Sequence, residues 1–297
     1  MTELDEHQWL AQRFEEHRPH LRAVAYRMLG SLSESDDALQ EAWLRVSRSD
    51  TSGVENLGGW LTRVVARVCL DMLRSRKSRR EEPLDVHLPE PIVSREDGID
   101  PEHEALLADS VGLALLAVLE TLTPAERLAF VMHDMFAVPF EEIAPVVGRS
   151  LAATRQLASR ARRRVQGAAN VPDTDLARQR EVVEAFFTAS REGAFEAIVA
   201  VLDPDVVLRA DVGAVSAGAS REVRGAEAVA GTALSYSRLG LLVRPALING
   251  AAGLVATLDG RPFSVGGFTV RGGKIVEIDI LADPARLAEL DLTILDD

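Results

Sequence analysis

The sequence contains a single cysteine among 297 residues, which excludes an internal disulfide and a cysteine-rich zinc site. The apolar neighbours of Cys69 indicate that its thiol is simply buried. Long hydrophobic runs are also missing, since no stretch approaches the roughly 18 apolar residues of a membrane span. The first residues, MTELDEHQWLAQRFEEH, lack the basic start and apolar stretch of a signal peptide. We therefore expect a cytoplasmic protein without a membrane partner.

Positive charge is in the minority: 33 Lys and Arg stand against 46 Asp and Glu, which gives a formal net charge of -13. Such a chain should bind DNA weakly by itself, because like-charge repulsion opposes the attraction of any local basic patch. The length exceeds what one hydrophobic core usually organises, and 47% hydrophobic residues support a folded chain. Two or three domains are expected.

The composition and hydrophobic periodicity of the chain change at three places. Residues 1–81 have apolar positions at helical spacing, whereas residues 82–103 combine four prolines with many acids, which resist helix formation and predict a linker that builds no core. Helical periodicity returns over residues 104–167, where TPAE at Thr123 predicts a capped helix start. Residues 174–297 begin with two short helices and continue as glycine-punctuated, β-branched runs. The predicted fold class is two all-α domains followed by an α+β domain.

A helix-turn-helix is predicted within the second helical domain. In FEEIAPVVG, residues 140–148, Ala144 supplies the small residue at the helix crossing, and Gly148 supplies the left-handed turn. Ser150 can then cap the second helix. Pro145 departs from the pattern, because it removes a backbone hydrogen bond within the first helix and should bend it.

The second helix of this unit, SLAATRQLASRARRRV, has two different sides. An apolar stripe that includes Leu151, Ala158 and Val165 should face the first helix. The other side carries arginine, glutamine and alanine, which suit base edges and phosphates in a DNA groove. An exposed basic helix end that complements the helix dipole is the alternative. The polar side consists of Ala152, Arg155, Gln156, Ser159, Arg160 and Arg163.

Two further amphipathic helices lie in the first domain. SLSESDDALQEAWLRV is predicted to start at Ser33 and Asp36, and it leaves an acidic face outside its apolar stripe. GWLTRVVARVCLDMLRSRKSRR buries Trp60 and several aliphatic residues and displays a row of basic ones. A solvated surface helix of a bundle is the simple interpretation of such a charge run.

The order of these motifs resembles a bacterial RNA polymerase sigma factor of the extracytoplasmic-function group over residues 7–166. The resemblance implies that an acidic surface docks on core RNA polymerase, that the basic helix melts and holds the minus-10 promoter element, and that the helix-turn-helix reads the minus-35 element. The implied polymerase-binding residues are Asp36, Asp37, Gln40, Glu41 and Leu44. The implied minus-10 residues are Trp60, Arg63, Arg67, Arg74, Arg76 and Lys77. The implied minus-35 residues are Ser150, Ala152, Ala153, Arg155, Gln156, Ser159, Arg160 and Arg163.

The C-terminal domain resembles a SnoaL-like cone, in which helices pack on a curved sheet. A subgroup of these sigma factors carries such a fused domain with three short motifs, partially matched here by HLPEP at 87–91, RGGK at 271–274 and ADPARL at 282–287. The resemblance implies that this domain regulates activity in place of a separate anti-sigma protein. A plain hairpin turn also explains RGGK. The implied interdomain residues are Leu88, Pro89, Glu90, Pro91, Gly272, Gly273, Lys274, Asp283 and Pro284.

An enzymatic role for the cone would need an acid-base residue, for which Asp211 in VVLRADVG is the nearest candidate. Strand alternation places Asp211 on one face with Arg209, so the two could simply form an ion pair. No histidine follows His133, and we therefore expect no catalysis, no cofactor and no metal. A small-molecule ligand of the cone cannot be named.

Two other functional classes stay open at this point. A helix-turn-helix regulator with a ligand-sensing SnoaL-like domain accounts for residues 123–297, but it leaves the acidic and basic helices of the first domain unexplained. A SnoaL-type enzyme with a helical appendage is the other class. The regulator predicts specific operator binding by the protein alone, the enzyme predicts turnover without DNA, and a sigma factor predicts tight association with core polymerase.

Overall fold

A computed structural model describes residues 3–51, 53–79, 88–95, 112–168, 173, 175–213 and 221–292. The chain forms two compact units. The first comprises residues 1–81, 104–108 and 118–168, and the second comprises residues 82–103, 109–117 and 169–297.

The first unit begins with three helices: α1 (Glu3–Leu29), α2 (Leu32–Val46) and α3 (Leu57–Arg79). Their shared core contains fully buried aliphatic and aromatic side chains such as Phe14 and Leu39. Cys69 is fully buried, as its apolar neighbours predict. The predicted start of α2 at Ser33 is wrong, because Ser31 caps this helix by accepting the Glu34 N–H at 3.3 Å. Ser31 and Glu34 have the serine-to-glutamate spacing of a capping pattern themselves, two residues earlier.

α4 (Leu113–Glu120) has its first five residues, 113–117, in the second unit and its last three in the first. The second half of the first unit contains α5 (Pro124–Phe130), a π-helical turn (Val131–Met135), α6 (Phe140–Val147) and α7 (Leu151–Ala168). The capping box of α5 is present in both directions between Thr123 and Glu126, as predicted. Gly148 ends α6 in the left-handed region at φ 72°, which a residue with a Cβ adopts only with strain. Ala158 and Ala161 of the predicted stripe are fully buried. The helix-turn-helix is confirmed, and α6 continues for two residues beyond Pro145.

The second unit is an α+β domain. Its helices are α8 (Leu176–Glu192), α9 (Phe195–Val201), α10 (Ala226–Ser237) and the short α11 (Pro284–Leu287). Its strands are β1 (Val93–Ser94), β2 (Leu202–Asp211), β3 (Arg221–Arg224), β4 (Leu242–Ile248), β5 (Ala251–Leu258), β6 (Arg261–Arg271) and β7 (Lys274–Leu281). They form one sheet in the order β1-β4-β5-β6-β7-β2-β3, in which only β2 and β7 pair in parallel.

The sheet of this unit has two buried faces. The inner face packs against α8, α9 and α10 through a core that includes Phe186, Ile198 and Phe268. The outer face carries a smaller core, in which Val93 and Leu113 join sheet residues and Leu287. Because alternate residues of a strand point to opposite faces, Val207, Arg209 and Asp211 share the outer face while Leu208 and Ala210 point inward. This is the helix-on-sheet cone that the sequence resemblance implied.

The prediction that residues 82–103 build no core is wrong for the part that the structure describes. Leu88 and Ile92 are each 1% exposed, and Val93 and Ser94 form β1 by pairing with Ile248 and Leu247 of β4. The prolines prevent a helix, but an extended segment at a sheet edge needs few backbone hydrogen bonds and can bury its apolar side chains. Within the described residues 88–95, the predicted linker therefore contributes a two-residue edge strand to the second unit.

Candidate polymerase and promoter interfaces

The acidic face predicted for polymerase binding lies on the outside of α2. Asp36, Asp37, Gln40 and Glu41 are exposed, and Leu44 is 42% exposed although it is a large apolar residue. The Asp36 carboxylate pairs with Arg22 at 3.0 Å, and that of Glu41 pairs with Arg45 at 2.9 Å. These pairs are exposed and contribute little to stability. The carboxylates are therefore accessible to a basic partner, and the exposed apolar side chain of Leu44 follows them along the same helix.

The basic helix α3 uses its arginines within the first unit. Trp60 is half-buried, Arg76 pairs with Glu34, and the side chain of Lys77 lies outside the described residues. Three other arginines reach across to α6. Their hydrogen bonds join Arg63 to the Glu142 carboxylate at 3.0 Å, Arg67 to the Val146 carbonyl at 2.7 Å and Arg74 to the Val147 carbonyl at 3.3 Å.

The carbonyls that receive these arginines lie at the C-terminal end of α6. The last carbonyls of a helix lack intrahelical donors, and the helix dipole makes this end attractive to cations. Because Gly148 ends the helix in the left-handed conformation, the carbonyl oxygens of Val146 and Val147 are open to donors, and they accept hydrogen bonds from α3. Sequence reasoning did not find this contact, because the paired residues are separated by 73 to 79 positions.

The predicted minus-35 residues form the open side of α7. Ala152, Arg155, Gln156, Arg160 and Arg163 are exposed. Ser150 caps the helix by accepting the Ala153 N–H at 3.3 Å, while Ala153 and Ser159 are half-buried. Arg155 pairs with Glu141 at 3.3 Å, and both side chains are more than half exposed. The arrangement leaves arginine and glutamine side chains free to approach a groove.

The HLPEP and ADPARL motifs meet in the second unit. Leu88 donates its N–H to Asp211 Oδ2 at 3.0 Å, and its carbonyl accepts from Arg286 Nη2 at 2.7 Å. Arg286 Nη1 also pairs with Asp211 Oδ2 at 2.5 Å. Asp283 caps α11 and thereby places Arg286. Pro89 and Pro91 are buried beside Leu88, Glu90 is half-buried, and Pro284 is the first residue of α11.

The RGGK motif forms the hairpin turn between β6 and β7, as the simpler interpretation predicted. Gly272 and Gly273 adopt φ of 59° and 75°, which glycine allows without strain. Their N–H groups donate to the two carboxylate oxygens of Asp173 at 3.1 and 3.2 Å, and these bonds lower the pKa of that carboxyl. The Lys274 ammonium donates to the Ala200 carbonyl at the end of α9.

Asp211 and Arg209 share the outer face, but they do not form the ion pair that strand alternation allowed as an alternative. Asp211 pairs with Arg286, while Arg209 binds Glu277 at 2.7 Å and Asp279 at 3.1 Å. The parallel pairing of β2 with β7 places Arg209 beside Asp279, and this register cannot be deduced from one strand. Asp211 therefore lies on the outer face of the sheet and does not point into the inner face that packs against the helices.

The carboxyl of Asp279 is 2% exposed, and burial raises its pKa to about 6, an effect that Arg209 only partly opposes. The native state therefore holds this proton more tightly than the unfolded chain does. The resulting stability is present at low pH and is lost as the pH rises from about 4 to about 6. Asp279→Asn should remove this loss. Between pH 4 and pH 7, the difference in free energy of unfolding between variant and wild type should therefore shift in favour of the variant by about 2 to 3 kcal/mol.

Urea unfolding of both chains at pH 4.5 and 7.5 measures this difference, since titrating groups remote from Asp279 contribute equally to both. Asp205→Asn, at an exposed carboxyl, is the control and should show no such gain. Parallel pH dependences of Asp279→Asn and wild type would contradict the assignment.

Within the described ranges, no group of three or more His, Cys, Asp and Glu side chains is arranged to hold a metal ion. In the same part of the chain, no helix has the length and apolar character to cross a membrane.

Comparisons with known proteins match these regions. The family Sigma-70 region 2 matches residues 13–79, and Sigma-70, region 4 matches residues 112–165. The ECF RNA polymerase sigma factor SigJ of Mycobacterium tuberculosis is 40% identical over 292 residues, which cover 92% of this chain and 91% of SigJ. A probable ECF sigma factor of that species, SigI, is 32% identical over 290 residues, which cover 97% and 98%. The crystal structure of SigJ matches with a TM-score of 0.77 at 36% identity and covers 95% of this chain and 99% of that chain.

These matches span both helical regions and the C-terminal cone in one alignment. The regulator alternative leaves the first three helices unexplained, whereas region 2 includes most of α1 and the whole of α2 and α3. The predicted order of a helical sigma domain, a helix-turn-helix domain and a SnoaL-like cone is confirmed. The chain belongs to the extracytoplasmic-function group of RNA polymerase sigma factors.

Proposed function

We propose that this sigma factor docks on core RNA polymerase through the outer face of α2, holds the minus-10 element with α3 and reads the minus-35 element with α7. The observation that carries the proposal is the separation of charge within the first unit. Carboxylates cover the exposed side of α2 ahead of Leu44, whereas α3 and α7 display arginines. With a net charge of -13, the chain needs polymerase to supply most of the affinity for promoter DNA. Its place of work is then the cytoplasm, where polymerase and chromosome are.

Reconstitution tests this function directly. Purified chain is mixed with core polymerase from its own or a related bacterium, and promoter opening is followed with a fluorescent base in the minus-10 element. We expect opening only when chain and core are both present. Specific DNA binding by the chain alone, with no association with core, would instead support a regulator.

The substitution Arg155→Ala tests the reading of the minus-35 element. If this guanidinium contacts a base, the loss should be about 1 to 3 kcal/mol and should relax preference at one or two positions. If it contacts phosphate, all promoters should weaken alike, and the salt slope should fall. Affinities of holoenzyme for a set of promoter variants at two salt concentrations distinguish these outcomes. Unchanged values in both measurements would place Arg155 off the interface.

The C-terminal cone is proposed to regulate initiation and not to catalyse a reaction. The candidate acid-base residue, Asp211, is bonded to Arg286 and to the linker on the outer face, whereas the inner face packs on a hydrophobic cluster that includes Phe186 and Phe268. Regulation is supported by the burial of the linker in the second unit, because this linker joins the two DNA-reading domains.

Truncation after residue 168 is the test of the regulatory role. The shortened chain should still bind core polymerase but should initiate at a different rate, because the linker loses the sheet on which Leu88 and Ile92 are buried. The measurements are transcription from one promoter and small-angle scattering of both chains. Equal rates, with scattering typical of a freely tumbling C-terminal domain, would make the domain a passenger. The same preparations, mixed with cell extract, show whether a separate anti-sigma protein binds, which we do not expect.

A further inference from the structure

The arginines on the open side of α7 are held to different degrees. Arg155 Nη2 donates to Glu141 Oε1 at 3.3 Å, and its guanidinium carbon lies 5.9 Å from the centre of the Phe140 ring. In the part of the chain that the structure describes, no carboxylate pairs with Arg160 or Arg163, and Arg163 donates to a carbonyl of its own helix at 3.5 Å. Arg155 is therefore the oriented arginine of this surface.

The Phe140 ring that supports Arg155 is itself fixed by a second ring. His133 stacks on Phe140 with the two ring centres 3.8 Å apart and an angle of 27° between their planes. His133 Nδ1 donates to the Val138 carbonyl at 3.0 Å, which fixes the imidazole. The π-helical turn Val131–Met135 carries His133, and Phe140 is the first residue of α6. Both rings are half-buried, so Phe140 offers Arg155 a support that is set by the fold.

The Glu141 carboxylate lies on the same surface and is more than half exposed. It stands in the first turn of α6, where a negative charge complements the helix dipole, but Glu142 in the same turn does this as well. A carboxylate beside a DNA-reading helix repels phosphates and lowers affinity for every sequence. That repulsion is offset if the bond to Arg155 contributes to the recognition of one base.

These contacts orient Arg155 without using up the N–H groups that a base needs. A guanidinium has five N–H donors, of which Glu141 takes one, while a ring contact uses the face of the group. Two parallel bonds to the O6 and N7 atoms of guanine can still form. A side chain that is already ordered also loses less conformational freedom on binding. Arg155 lies near the N-terminal end of α7, from which recognition helices contact base edges.

We propose that Phe140 and Glu141 are positioning residues that make Arg155 the base-reading arginine of α7, with guanine as the base that fits. Arg160 and Arg163, which lie further along the helix without such support, contact phosphates, because a phosphate accepts hydrogen bonds from many directions. The proposal rests on the proposed reading of the minus-35 element by α7 and names the residues that set its sequence preference.

The affinities of holoenzymes for promoters with single changes in the minus-35 element test this division. Arg155→Ala locates the position at which discrimination between bases is lost. Glu141→Gln and Phe140→Leu should each reduce discrimination at that same position by about two- to tenfold, the range expected for ordering one long side chain, and should leave other positions unchanged. Arg160→Ala and Arg163→Ala should weaken all promoters alike and lower the slope of log K against log salt by about 1 each.

Two controls separate positioning from an effect on the fold. Phe140→Tyr keeps a ring and should restore the preference that Phe140→Leu loses. Glu142→Gln removes the neighbouring carboxylate of the first turn of α6, which pairs with Arg63 and not with Arg155, and should keep the wild-type preference. Wild-type preference in Glu141→Gln and Phe140→Leu, or an equal loss at every position, would overturn the positioning role. So would an Arg155→Ala chain that weakens all promoters alike, although the sigma-factor function would stand.

Nuclear magnetic relaxation of the arginine Nε–H groups tests the positioning in the free chain, without polymerase or DNA. The order parameter of Arg155 should exceed that of Arg160, and it should fall in Glu141→Gln and in Phe140→Leu but not in Glu142→Gln. Equal order of Arg155 and Arg160 in the wild type would contradict the proposal. A chain that shows the expected order but forms no holoenzyme would contradict the proposed function instead, so the two failures are distinguishable.

Discussion

A chain that carries Asp37→Lys and Glu41→Lys is expected to lose holoenzyme formation, with Kd for core polymerase raised at least about a hundredfold. Coupling energies of about 1.5 to 7 kcal/mol are measured for close charge pairs in protein interfaces. The two substitutions each reverse the sign of a charge and so replace attraction to a basic partner by repulsion. Both carboxylates are exposed on α2. Removing the exposed Glu41–Arg45 pair should cost at most a few tenths of a kcal/mol of helix stability.

Two measurements test this result. Fluorescence anisotropy of labelled chain with core polymerase gives Kd, and far-UV circular dichroism shows whether helix content is kept. The control, Glu184→Lys with Glu196→Lys, makes the same change in net charge at exposed positions of the second unit and should leave Kd unchanged. An equal loss in the control would indicate a general charge effect. A folded α2 variant that binds core like the wild type would place the docking surface elsewhere.

Features that depend on neighbouring residues could be predicted from the sequence. The capping box of Thr123 and Glu126 needs only three-residue spacing, and the turn at Gly148 needs only a glycine between two amphipathic helices. The β-branched runs after residue 174 predict strands such as β4, because glycine punctuation and flanking turn residues are also local signals. The family resemblance then identified the order of domains that the comparisons confirm.

Features that depend on distant partners could not be predicted in this way. Leu88 and Asp211 are 123 positions apart, and nothing in a proline-rich segment indicates the carboxylate that will receive its N–H. Alternation on β2 allows Asp211 to pair with Arg209, but the register of β7 places Arg209 beside Asp279 instead. The contact of α3 with α6 belongs to the same class, since the helix carbonyls that receive arginine exist only after folding.

The contact between α3 and α6 leads to the second large effect, which is expected for Arg67→Ala combined with Arg74→Ala. In the free chain these arginines donate to the carbonyls of Val146 and Val147, and on the promoter they would have to exchange those oxygens for DNA phosphates. Holoenzyme formation should be retained, because both residues lie on a different helix from the α2 face. Promoter opening should fall about a hundredfold or more, and the slope of log K against log salt should decrease by roughly 1.5 to 2 for two lost phosphate contacts.

The control for this prediction is Glu142→Gln, which removes the carboxylate that holds Arg63 to α6 but leaves every α3 arginine in place. If α6 and DNA compete for α3, this variant should open promoters at least as fast as the wild type, because one of the three contacts of the free state is weakened. Opening is measured by the fluorescence of a base analogue in the minus-10 element at several salt concentrations. A loss in Glu142→Gln as large as in the double arginine variant would mean that opening depends on α3–α6 packing. Wild-type opening in the double variant would mean that Arg67 and Arg74 serve only to hold α6.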